Sequence, residues 1–556
     1  MGKKEQIGAL LRTVRYLKVS QILARLEYKT RCLYYKSPLY PFLEDPLVSP
    51  KNLSVTPPYI WTANKKHGQN ILKNNTFEFI NQAVAIGLDM RWHPKGTSSL
   101  WLYNLHYFHW LADLKECGDE GQTKARELIE SWLMNCNHFD MQTWHPYPLS
   151  LRLVNWLTHY HWLTEGMHKD VKDTFNQSLA RQSEHLGHNL EWDVEGNHLI
   201  KNLKAMIYCG LCLPNQQTAY LDATTLLLEQ INLQVNPDGG HYEKSPHYHV
   251  DVLKDLLDIQ ALILKAGQTP PTRLTEVIDR MAVALEFFCY KDKKLALFND
   301  GCIGDKKEIN AILKRCSTGE TTPEELPETG YVKLERKKTM IMVDVGKCCP
   351  DSLPAHGHAD TLSFEMCHGV ERIFVNGGTY AYQHKKRNIF RGTSSHNTVS
   401  IDSQNSAEVW AAFRIGRRPE NVEYTLKSEK NVGIGVDASH DGYRHIKATH
   451  NRKIFLSEDG ADIRGEDIII NKKHQKVLAH FHLHPDVKCK ILNHEEAEIT
   501  TAKGVKLSFI AKGGRLYDAH SEYAPQFGEL LIGKQLVIKG NYRQNTCTLK
   551  WAIKFI

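Results

Sequence analysis

The sequence lacks three features, each of which would define a class of protein. No stretch approaches the roughly 18 consecutive apolar residues of a transmembrane helix, and the N-terminus has neither the uninterrupted apolar core nor the small-residue cleavage site of a secretory signal. Basic runs are short, and no nucleic-acid-binding motif is present. We therefore expect no transmembrane segment and no nucleic-acid partner. The expected location is the cytoplasm or a membrane surface, with the periplasm as an open alternative.

Cysteine pairs at metal-ligand spacing are also scarce. The 13 cysteines include a single C-x-x-C pair, Cys209 and Cys212, which lies within an apolar helical pattern without a second pair. The remaining cysteines are scattered, which is typical of reduced, buried thiols. The sequence therefore indicates neither a zinc finger nor a disulfide framework.

The chain does have length and a mild excess of positive charge. Its 556 residues suffice for two or three domains, and a formal net charge of +7 suits an anionic partner such as an acidic glycan or lipid. Near the N-terminus, apolar residues recur at helical spacing with basic residues between them: Ile7, Leu10, Leu11, Val14 and Leu17. This amphipathic pattern predicts either docking on the protein's own body or association with anionic lipid.

Hydrophobic periodicity divides the chain into three regions. Residues 1–60 are predicted to form a helical arm and a proline-rich connector. Residues 61–325 repeat apolar residues at three- and four-residue intervals, which predicts helical hairpins arranged as an incomplete (α/α) toroid or a helical solenoid. In residues 326–556 the period changes to two, and many short strands separated by turns predict an antiparallel β-sandwich. The boundary is expected within residues 317–329, which are rich in acidic residues and helix breakers.

Three segments carry more specific expectations. Residues 77–86 partly alternate apolar and polar side chains and predict an isolated strand or the start of a helix. Residues 99–111 and 148–163 each predict one helix, and the first has aromatic residues on almost every face. The prolines of the connector are Pro38, Pro41, Pro46, Pro50, Pro57 and Pro58.

Two dense polar clusters lie near the start of the β-rich region, A-H-G-H-A-D (residues 355–360) and S-S-H-N-T-V (residues 394–399). On an extended strand His356 and His358 point to the same side, where they can share a metal ion or divide proton transfer and ligation. His396 can supply a third nitrogen. The alternative is a pair of surface or hydrogen-bonded histidines.

Three further clusters occur in the helical region. In E-G-N-H-L-I-K-N (residues 195–202), Asn197 either caps a helix or binds a carboxylate together with His198 at the positive end of the helix dipole. The segment N-P-D-G-G-H-Y-E-K-S-P-H-Y-H (residues 236–249) concentrates titratable side chains and predicts part of a site. The segment W-H-P-Y-P-L-S-L-R-L-V-N-W (residues 144–156) is either a sugar-stacking, anion-pairing wall or a core helix with a buried arginine.

These motifs, together with G-G-T-Y at residues 377–380, resemble the heparinase II/III-like polysaccharide lyases. The resemblance follows the same order along the chain over residues 100–402. It implies an (α/α) toroid joined to an antiparallel β-sandwich, with the active site in the cleft between them. It also implies β-elimination on a uronic-acid-containing polysaccharide, without an organic cofactor.

The resemblance implies roles for four catalytic residues. Asn197 with His198 is similar to the family's carboxylate-binding pair. Tyr248 is similar to the tyrosine that transfers the proton at the leaving oxygen, and His356 to the imidazole partner in proton abstraction. Residues implied or proposed to contact the substrate are Trp144, Tyr147, Arg152, His241, Tyr242, Glu243, Arg387 and Arg391.

The resemblance also implies a metal site that this sequence alters. His358 and His396 match positions that hold a divalent ion, zinc or calcium, in some members. The third ligand is commonly an aspartate, and Asn376 stands at that position here. Because an amide is a poorer ligand than a carboxylate, the sequence leaves metal binding open. A second departure is Lys201, where members often have glutamate, and it predicts a more positive cleft.

We therefore predict a lyase that cleaves an acidic polysaccharide, with a bacterial surface glycan as one substrate class. Two alternatives stay open. A glycoside hydrolase on the same fold would need two carboxylates facing each other, for which Asp238, Glu243 and Asp300 are candidates. A protein that kept the fold without catalysis would bind glycans or take part in surface-polysaccharide biosynthesis.

Overall fold

The computed structural model describes residues 2–37, 40, 49–87, 91–317, 322–471, 473 and 475–556. The chain forms two compact units, each built from separate segments. The helical unit consists of Lys18–Gln234 and Asp251–Ile278, and the β-rich unit of Met1–Leu17, Val235–Val250 and Asp279–Ile556. Pro38, Pro41 and Pro46 of the predicted connector, and residues 318–321 of the predicted boundary, lie outside the described residues.

Most helices of the described chain lie in the helical unit, where they account for nearly all regular structure, and a few lie in the β-rich unit. In chain order the helices are α1 (Lys3–Val14), α2 (Val19–Tyr35), α3 (Lys65–Asn74), α4 (Ser99–Tyr107), α5 (Trp110–Lys115), α6 (Gly118–Cys136), α7 (Pro146–Thr158), α8 (Tyr160–Thr164), α9 (Lys169–His188), α10 (Gly196–Cys212), α11 (Gln217–Gln234), α12 (Pro246–Lys265), α13 (Thr272–Phe288), α14 (Lys306–Leu313) and α15 (Arg387–Phe390). Helices α12 and α13 pass from one unit to the other. None of the helices within the described residues is both long enough and apolar enough to cross a lipid bilayer.

Three predicted segments differ from the observed elements. Residues 77–86 form a two-stranded hairpin, β1 (Thr76–Phe79) and β2 (Gln82–Ala85). The helix predicted over residues 99–111 ends at Phe108, whose left-handed φ of 63° separates α4 from α5. The helix predicted over residues 148–163 is divided at His159, whose φ of −103° and ψ of 11° separate α7 from α8.

Aromatic side chains fill the interior of the helical unit. The rings of Phe108 and Trp110 lie 4.8 Å apart, and those of Trp132 and Trp156 lie 5.2 Å apart, edge to face. All four side chains are buried. The aromatic residues on every face of residues 99–111 are therefore core residues, and they make the edge-on contacts that aromatic rings favour.

Strands dominate the β-rich unit. The strands are β3 (Glu325–Leu326), β4 (Tyr331–Arg336), β5 (Thr339–Asp344), β6 (Phe364–His368), β7 (Glu371–Phe374), β8 (Val399–Ile401), β9 (Val409–Trp410), β10 (Arg414–Ile415), β11 (Val422–Glu429), β12 (Gly433–His440), β13 (Ala448–Ser457), β14 (Asp462–Asn471), β15 (Val477–His482), β16 (Lys488–Ile491), β17 (Glu496–Thr500), β18 (Lys506–Lys512), β19 (Gly514–Tyr523), β20 (Leu531–Gly540), β21 (Tyr542–Arg543) and β22 (Thr546–Phe555).

Within the described residues these strands form three larger antiparallel sheets. The orders are β3-β4-β5-β6-β7, β19-β20-β15-β8 and β11-β12-β13-β14-β22-β18-β17-β16, with β21 added beside β22. Their inner faces share one apolar core, in which the rings of Phe364 and Trp551 stack 5.5 Å apart. Gly465 on β14 lies beneath that indole, because a Cβ added there would lie 2.0 Å from Trp551. The core holds in place the loops between β5 and β8, which carry the two polar clusters.

Candidate active site

Asp300 is the centre of a polar cluster in the β-rich unit. Its Oδ2 accepts a hydrogen bond from Nδ1 of His356 at 3.0 Å, and its Oδ1 accepts one from Nε2 of His358 at 2.9 Å. Arg387 donates to both oxygens, at 2.6 Å from Nη2, and the hydroxyl of Thr379 donates to Oδ1 at 3.2 Å. Burial raises the pKa of Asp300, but Arg387 and the two imidazoles outweigh burial and hold it well below its usual range. Asp300 is therefore a carboxylate.

The two histidines of the H-G-H motif lie in a loop, which corrects the expectation of a strand. The backbone N–H of Asp300 donates to the carbonyl of His356 at 3.0 Å, and the N–H of His358 donates to Oδ1 of Asn299 at 2.8 Å. Asn299 has a left-handed φ of 57°, a conformation that asparagine tolerates. The turn at residues 299–301 thus holds the loop, and both imidazoles contact one carboxylate.

An aromatic pair covers His356. The ring of Tyr248 stacks on this imidazole with centroids 3.7 Å apart, and its hydroxyl forms a short hydrogen bond with that of Tyr382. The second ring nitrogen of His356, Nε2, lies 3.5 Å from a carboxylate oxygen of Glu243. Burial, with the nearby charge of Asp300, raises the pKa of Tyr382 well above its usual value. Tyr248, His356 and Tyr382 are 8–9% exposed whereas Asp300 is fully buried, so the first three form the accessible side of the cluster.

A second group in the same unit has the composition of a metal site. His358, Asp360 and His396 each offer a ligand atom, and these atoms lie within 4.8 Å of one another. Burial lowers the pKa of His358 to about 4 and that of His396 to about 3, so both imidazoles are neutral, as metal ligation requires. Among the described residues, Nδ1 of His396 and Oδ1 of Asp360 are buried without a hydrogen-bond partner. These residues fit a divalent ion such as zinc.

Asn376 is placed differently from the predicted third ligand. Its Nδ2 donates to the carbonyl of Leu297 at 3.0 Å, and its Oδ1 accepts from the N–H of Asn397 at 3.2 Å. Both ends of the amide therefore join backbone segments. Asp360 is the carboxylate that lies with His358 and His396, and Asn376 as a metal ligand stays a prediction.

Glu191 is the centre of a polar cluster in the helical unit. Its Oε1 lies 2.8 Å from Nδ1 of His198, and its Oε2 accepts from Nδ2 of Asn202 at 2.9 Å. His145 lies 3.8 Å away, and Tyr147 packs on His198 with ring centroids 4.2 Å apart. Burial raises the pKa of Glu191, but His198 and the other partners outweigh burial and lower it below its usual value. Glu191 is therefore a carboxylate in contact with His198.

Asn197 lies in the first turn of α10 and does not cap it. Glu195 precedes the helix with φ 62° and Gly196 has φ 59°, so the chain turns sharply into α10. Asn197 is 2% exposed. Lys201, on the next turn, donates to Oδ2 of Asp255 at 2.7 Å in a buried pair. Because this carboxylate neutralises Lys201, the expected gain in positive charge is not found.

Trp144 and Arg152 belong to the core of the helical unit, which corrects their prediction as substrate contacts. Arg152 is fully buried, donates to Gln182 at 2.6 Å and to the carbonyl of Thr143 at 2.9 Å, and lies over the ring of Trp132. Burial lowers the pKa of Arg152 to about 9. The indole of Trp144 donates to the carbonyl of Cys136 at 2.9 Å. Tyr147 is the member of this motif that contacts His198.

The predicted substrate contacts of the β-rich unit also divide by position. Arg391 is fully buried and donates to the carbonyl of Gly357 at 3.0 Å and to other loop carbonyls, so it is a structural residue and not a substrate contact. Arg387 is also buried, and its guanidinium donates to the carboxylate of Asp300. His241 is buried, and its backbone N–H donates to Nδ1 of His249 at 3.3 Å. Tyr242 is half-buried and lines a cavity of about 240 Å³.

Sequence reasoning missed two members of the cluster. Asp300, which the sequence offers as a turn residue that could face a cleft and as a hydrolase carboxylate, joins both histidines of the H-G-H motif. Tyr382 follows G-G-T-Y by two residues, and nothing in the sequence distinguishes it from Tyr380. The N-D-G turn at residues 299–301, which fixes Asp300, was the available signal.

Comparison with known proteins identifies the family. Residues 40–320 match the family described as "Heparinase II/III N-terminus", and residues 318–552 match "Heparinase II/III-like, C-terminal". The chain belongs to the heparinase II/III family, which confirms the resemblance seen in the sequence.

Individual relatives carry different names. FtsZ-localized protein C of Caulobacter vibrioides is 27% identical over 468 residues, which are 80% of each chain. A heparin-sulfate lyase of Bacteroides thetaiotaomicron is 24% identical over 432 residues, covering 66% of this chain and 59% of the lyase.

Two solved structures show the same fold. The crystal structure of heparinase III has a TM-score of 0.75 at 18% identity and covers 95% of this chain and 89% of that one. The heparan sulfate lyase HepC of Pedobacter heparinus has a TM-score of 0.59 at 15% identity, with 95% and 88% covered. The predicted fold class, an incomplete (α/α) toroid followed by an antiparallel β-sandwich, is confirmed.

Proposed function

We propose that the protein is a polysaccharide lyase that cleaves a uronic-acid-containing polysaccharide by β-elimination. The observation that carries this proposal is the stacking of Tyr248 on His356, with Asp300 bonded to the far nitrogen of the imidazole. In β-elimination a base removes the proton on C5 of the uronate, the bond between C4 and its glycosidic oxygen breaks, and a C4–C5 double bond forms. The site must supply a base, an acid for the departing oxygen and a partner for the carboxylate.

His356 is proposed as the base. Asp300 accepts a hydrogen bond from the protonated Nδ1, which leaves Nε2 as the nitrogen that takes the C5 proton. Since Arg387 keeps Asp300 ionised, the tautomer is fixed before substrate binds. Once His356 is protonated, its positive charge lies between Asp300 and Glu243, whose carboxylates stabilise it.

Tyr248 is proposed as the acid. Its hydroxyl gives its proton to the glycosidic oxygen as the bond to C4 breaks, so that the proton taken by His356 is matched by one delivered to the leaving group. Tyr382 stabilises the oxygen of Tyr248 through the hydrogen bond between the two hydroxyls.

Asn197 and His198 are proposed to bind the uronate carboxylate. They lie in the first turn of α10, where the helix dipole favours an anion, and Glu191 supports a positive charge on His198. Binding the carboxylate lowers the cost of the negative charge that develops when the C5 proton is removed.

A divalent ion held by His358, Asp360 and His396 would neutralise the buried carboxylate of Asp360 and stiffen the H-G-H loop. His358 also contacts Asp300 at 2.9 Å, so these residues fix the position of the carboxylate that orients His356. Their proposed role is positioning.

The heparin-sulfate lyases among the relatives support elimination as the reaction class. The hydrolase alternative is disfavoured, because Glu243 and Asp300 both contact one imidazole instead of facing each other. A non-catalytic role keeps one supporting observation, the likeness to FtsZ-localized protein C over 80% of each chain.

The decisive experiment measures ultraviolet absorbance across a panel of uronate polysaccharides, including heparan sulfate, alginate and bacterial capsular glycans. A lyase produces a conjugated double bond and a hydrolase does not. We expect absorbance to rise with at least one polysaccharide and to be abolished by Tyr248→Phe and by His356→Ala. Tyr517→Phe on β19 is the matched control and should retain full activity. Glycan binding by wild type without any product would establish the non-catalytic alternative.

A further inference from the structure

The first helix of the chain has its apolar face turned towards solvent. In α1 the buried residues are Ala9 and Thr13, and the hydroxyl of Thr13 accepts from the indole of Trp410 at 3.0 Å. Arg12 pairs with Glu408 at 2.6 Å. The large apolar side chains are exposed: Ile7 60%, Leu10 40%, Leu11 67% and Val14 39%. The helix thus packs on the β-rich unit through small and polar side chains, the reverse of an ordinary surface helix.

The second helix has the same arrangement on the helical unit. In α2 the buried residues are Gln21 and Cys32, and Arg25 pairs with Asp193 at 3.1 Å. Lys18, just before the helix, pairs with Glu195 at 2.9 Å. Apolar side chains on the opposite face are exposed: Val19 72%, Ile22 38%, Leu23 60%, Leu26 57% and Leu33 72%. Their spacing of three, four and seven residues places them on one continuous stripe.

This concentration of exposed apolar side chains is specific to the N-terminal helices. Ten of the 25 large apolar side chains that are exposed within the described residues lie between Ile7 and Tyr34. Single exposed apolar residues are ordinary, but contiguous exposed stripes mark interaction sites.

The positive charge of the protein has the same location. Residues 2–37 contain nine lysines and arginines and two glutamates, a net charge of +7 that equals the formal net charge of the whole chain. The rest of the sequence is therefore neutral. Lys4, Lys29 and Lys36 are exposed and lie three or four residues from members of the apolar stripes, so they flank them on the helix surface.

We propose that α1 and α2 bind an anionic lipid surface. The apolar stripes would enter the boundary between headgroups and acyl chains, and the flanking lysines would contact lipid phosphates. A second copy of this chain is a poorer occupant, because it would bring the exposed lysines of two copies, Lys4, Lys29 and Lys36 in each, towards one another. The inference concerns location and is independent of the proposed lyase activity.

The test is co-sedimentation of the full chain with vesicles of phosphatidylcholine, alone or mixed with phosphatidylglycerol. We expect binding to the mixed vesicles that weakens as salt is raised. Replacing Lys29 and Lys36 by glutamine should lower the partition coefficient about fivefold for each lysine. The double variant Leu23→Glu/Leu26→Glu should lower it about tenfold or more, because it places charge in the apolar stripe.

The matched control is Leu221→Glu/Leu233→Glu on α11, where both leucines are also exposed, at 55% and 68%. This variant should bind vesicles as wild type does, and circular dichroism should be unchanged in all variants. Equal loss in the control and the α2 variant would overturn the proposal, as would binding that ignores phosphatidylglycerol. Absence of vesicle binding, with an oligomer in light scattering that Leu23→Glu/Leu26→Glu dissociates, would assign the stripes to a second copy instead.

Discussion

Each unit of the protein contains a buried carboxylate paired with histidines, and the two differ in what balances the negative charge. Asp300 in the β-rich unit is bonded to the guanidinium of Arg387 as well as to His356 and His358. Among the described residues, the partners of the Glu191 carboxylate in the helical unit are the imidazoles of His198 and His145 and the amide of Asn202, without a guanidinium.

The difference teaches how the same pair of side chains serves two purposes. In the β-rich unit the guanidinium of Arg387 shares the carboxylate of Asp300 with the imidazoles. In the helical unit the carboxylate of Glu191 is shared between imidazoles and an amide. The comparison motivates separate tests of Asp300 and Glu191.

The largest effect is expected from Asp300→Asn. The amide cannot hold the Nδ1 proton of His356 as the carboxylate does, so the wrong tautomer becomes populated. Turnover should fall by about 10³- to 10⁴-fold, the range seen when a histidine loses its orienting carboxylate. The ultraviolet assay measures the loss, and less than a tenfold change would remove Asp300 from the proposed machinery.

The next effect concerns the arginine that distinguishes the two clusters. Arg387→Met leaves Asp300 charged and buried without its guanidinium, which should lower the free energy of unfolding by about 3–5 kcal/mol. The half-buried Arg336, paired with Glu458 at 2.9 Å, is the control, and Arg336→Met should cost about 1 kcal/mol. Urea denaturation measures both. Equal losses would mean that Arg387 does not compensate a buried charge.

A smaller effect is expected in the helical unit. Glu191→Gln removes the carboxylate that supports a protonated His198 and should raise KM about tenfold or more while changing kcat less. The exposed Glu229→Gln on α11 is the matched control. A fall in kcat at unchanged KM would contradict a role in binding the carboxylate.

The same cluster makes a prediction about pH. Because the pKa of Glu191 is lower in the folded protein than its ordinary 4.5, its contribution to stability is complete above pH 4.5 and is lost as pH falls through the folded value. Below pH 4.5, unfolding free energy should therefore fall more steeply for wild type than for Glu191→Gln. Parallel profiles would show that Glu191 is not ionised preferentially in the folded state.

The smallest effect concerns His358, Asp360 and His396, which among the described residues form the group with the composition of a metal site. We expect zinc to co-purify with wild type and to be lost in Asp360→Asn, with a modest fall in thermal stability after chelation. Asn376→Ala should keep the metal, because both ends of this amide bond to backbone. Elemental analysis decides between the two residues, and retention of zinc by Asp360→Asn would restore Asn376 as the candidate.

Much of the helical unit was predictable, because periodicity along one helix is a local property. The helical period expected over residues 61–325 is observed, for example in α9, α10 and α11. The break at Phe108 was not predictable, since residues that are apolar on every face give no periodicity to interrupt.

The β-rich unit was harder to read. In β14 the inward positions include Gly465 and the buried Asp467, which interrupt the alternation of apolar and polar residues that marks a strand. In β14, Gly465 looks like a turn residue but is required beneath Trp551. Of the candidate site, the motifs located Tyr248 and His356. The hydrogen bond between His356 and Asp300 joins residues 56 apart in the sequence, which a motif cannot reveal.

The discontinuity of the two units limits how this protein can be divided. A fragment that begins at residue 326, where the composition changes, would omit residues 235–250 and 279–317 from the β-rich unit. It would thereby lose Glu243, Tyr248 and Asp300, three of the side chains around His356. Exchange of one half between relatives at that point would pair residues that never evolved together, so the family is expected to diversify by substitution within an intact chain and not by recombination of modules.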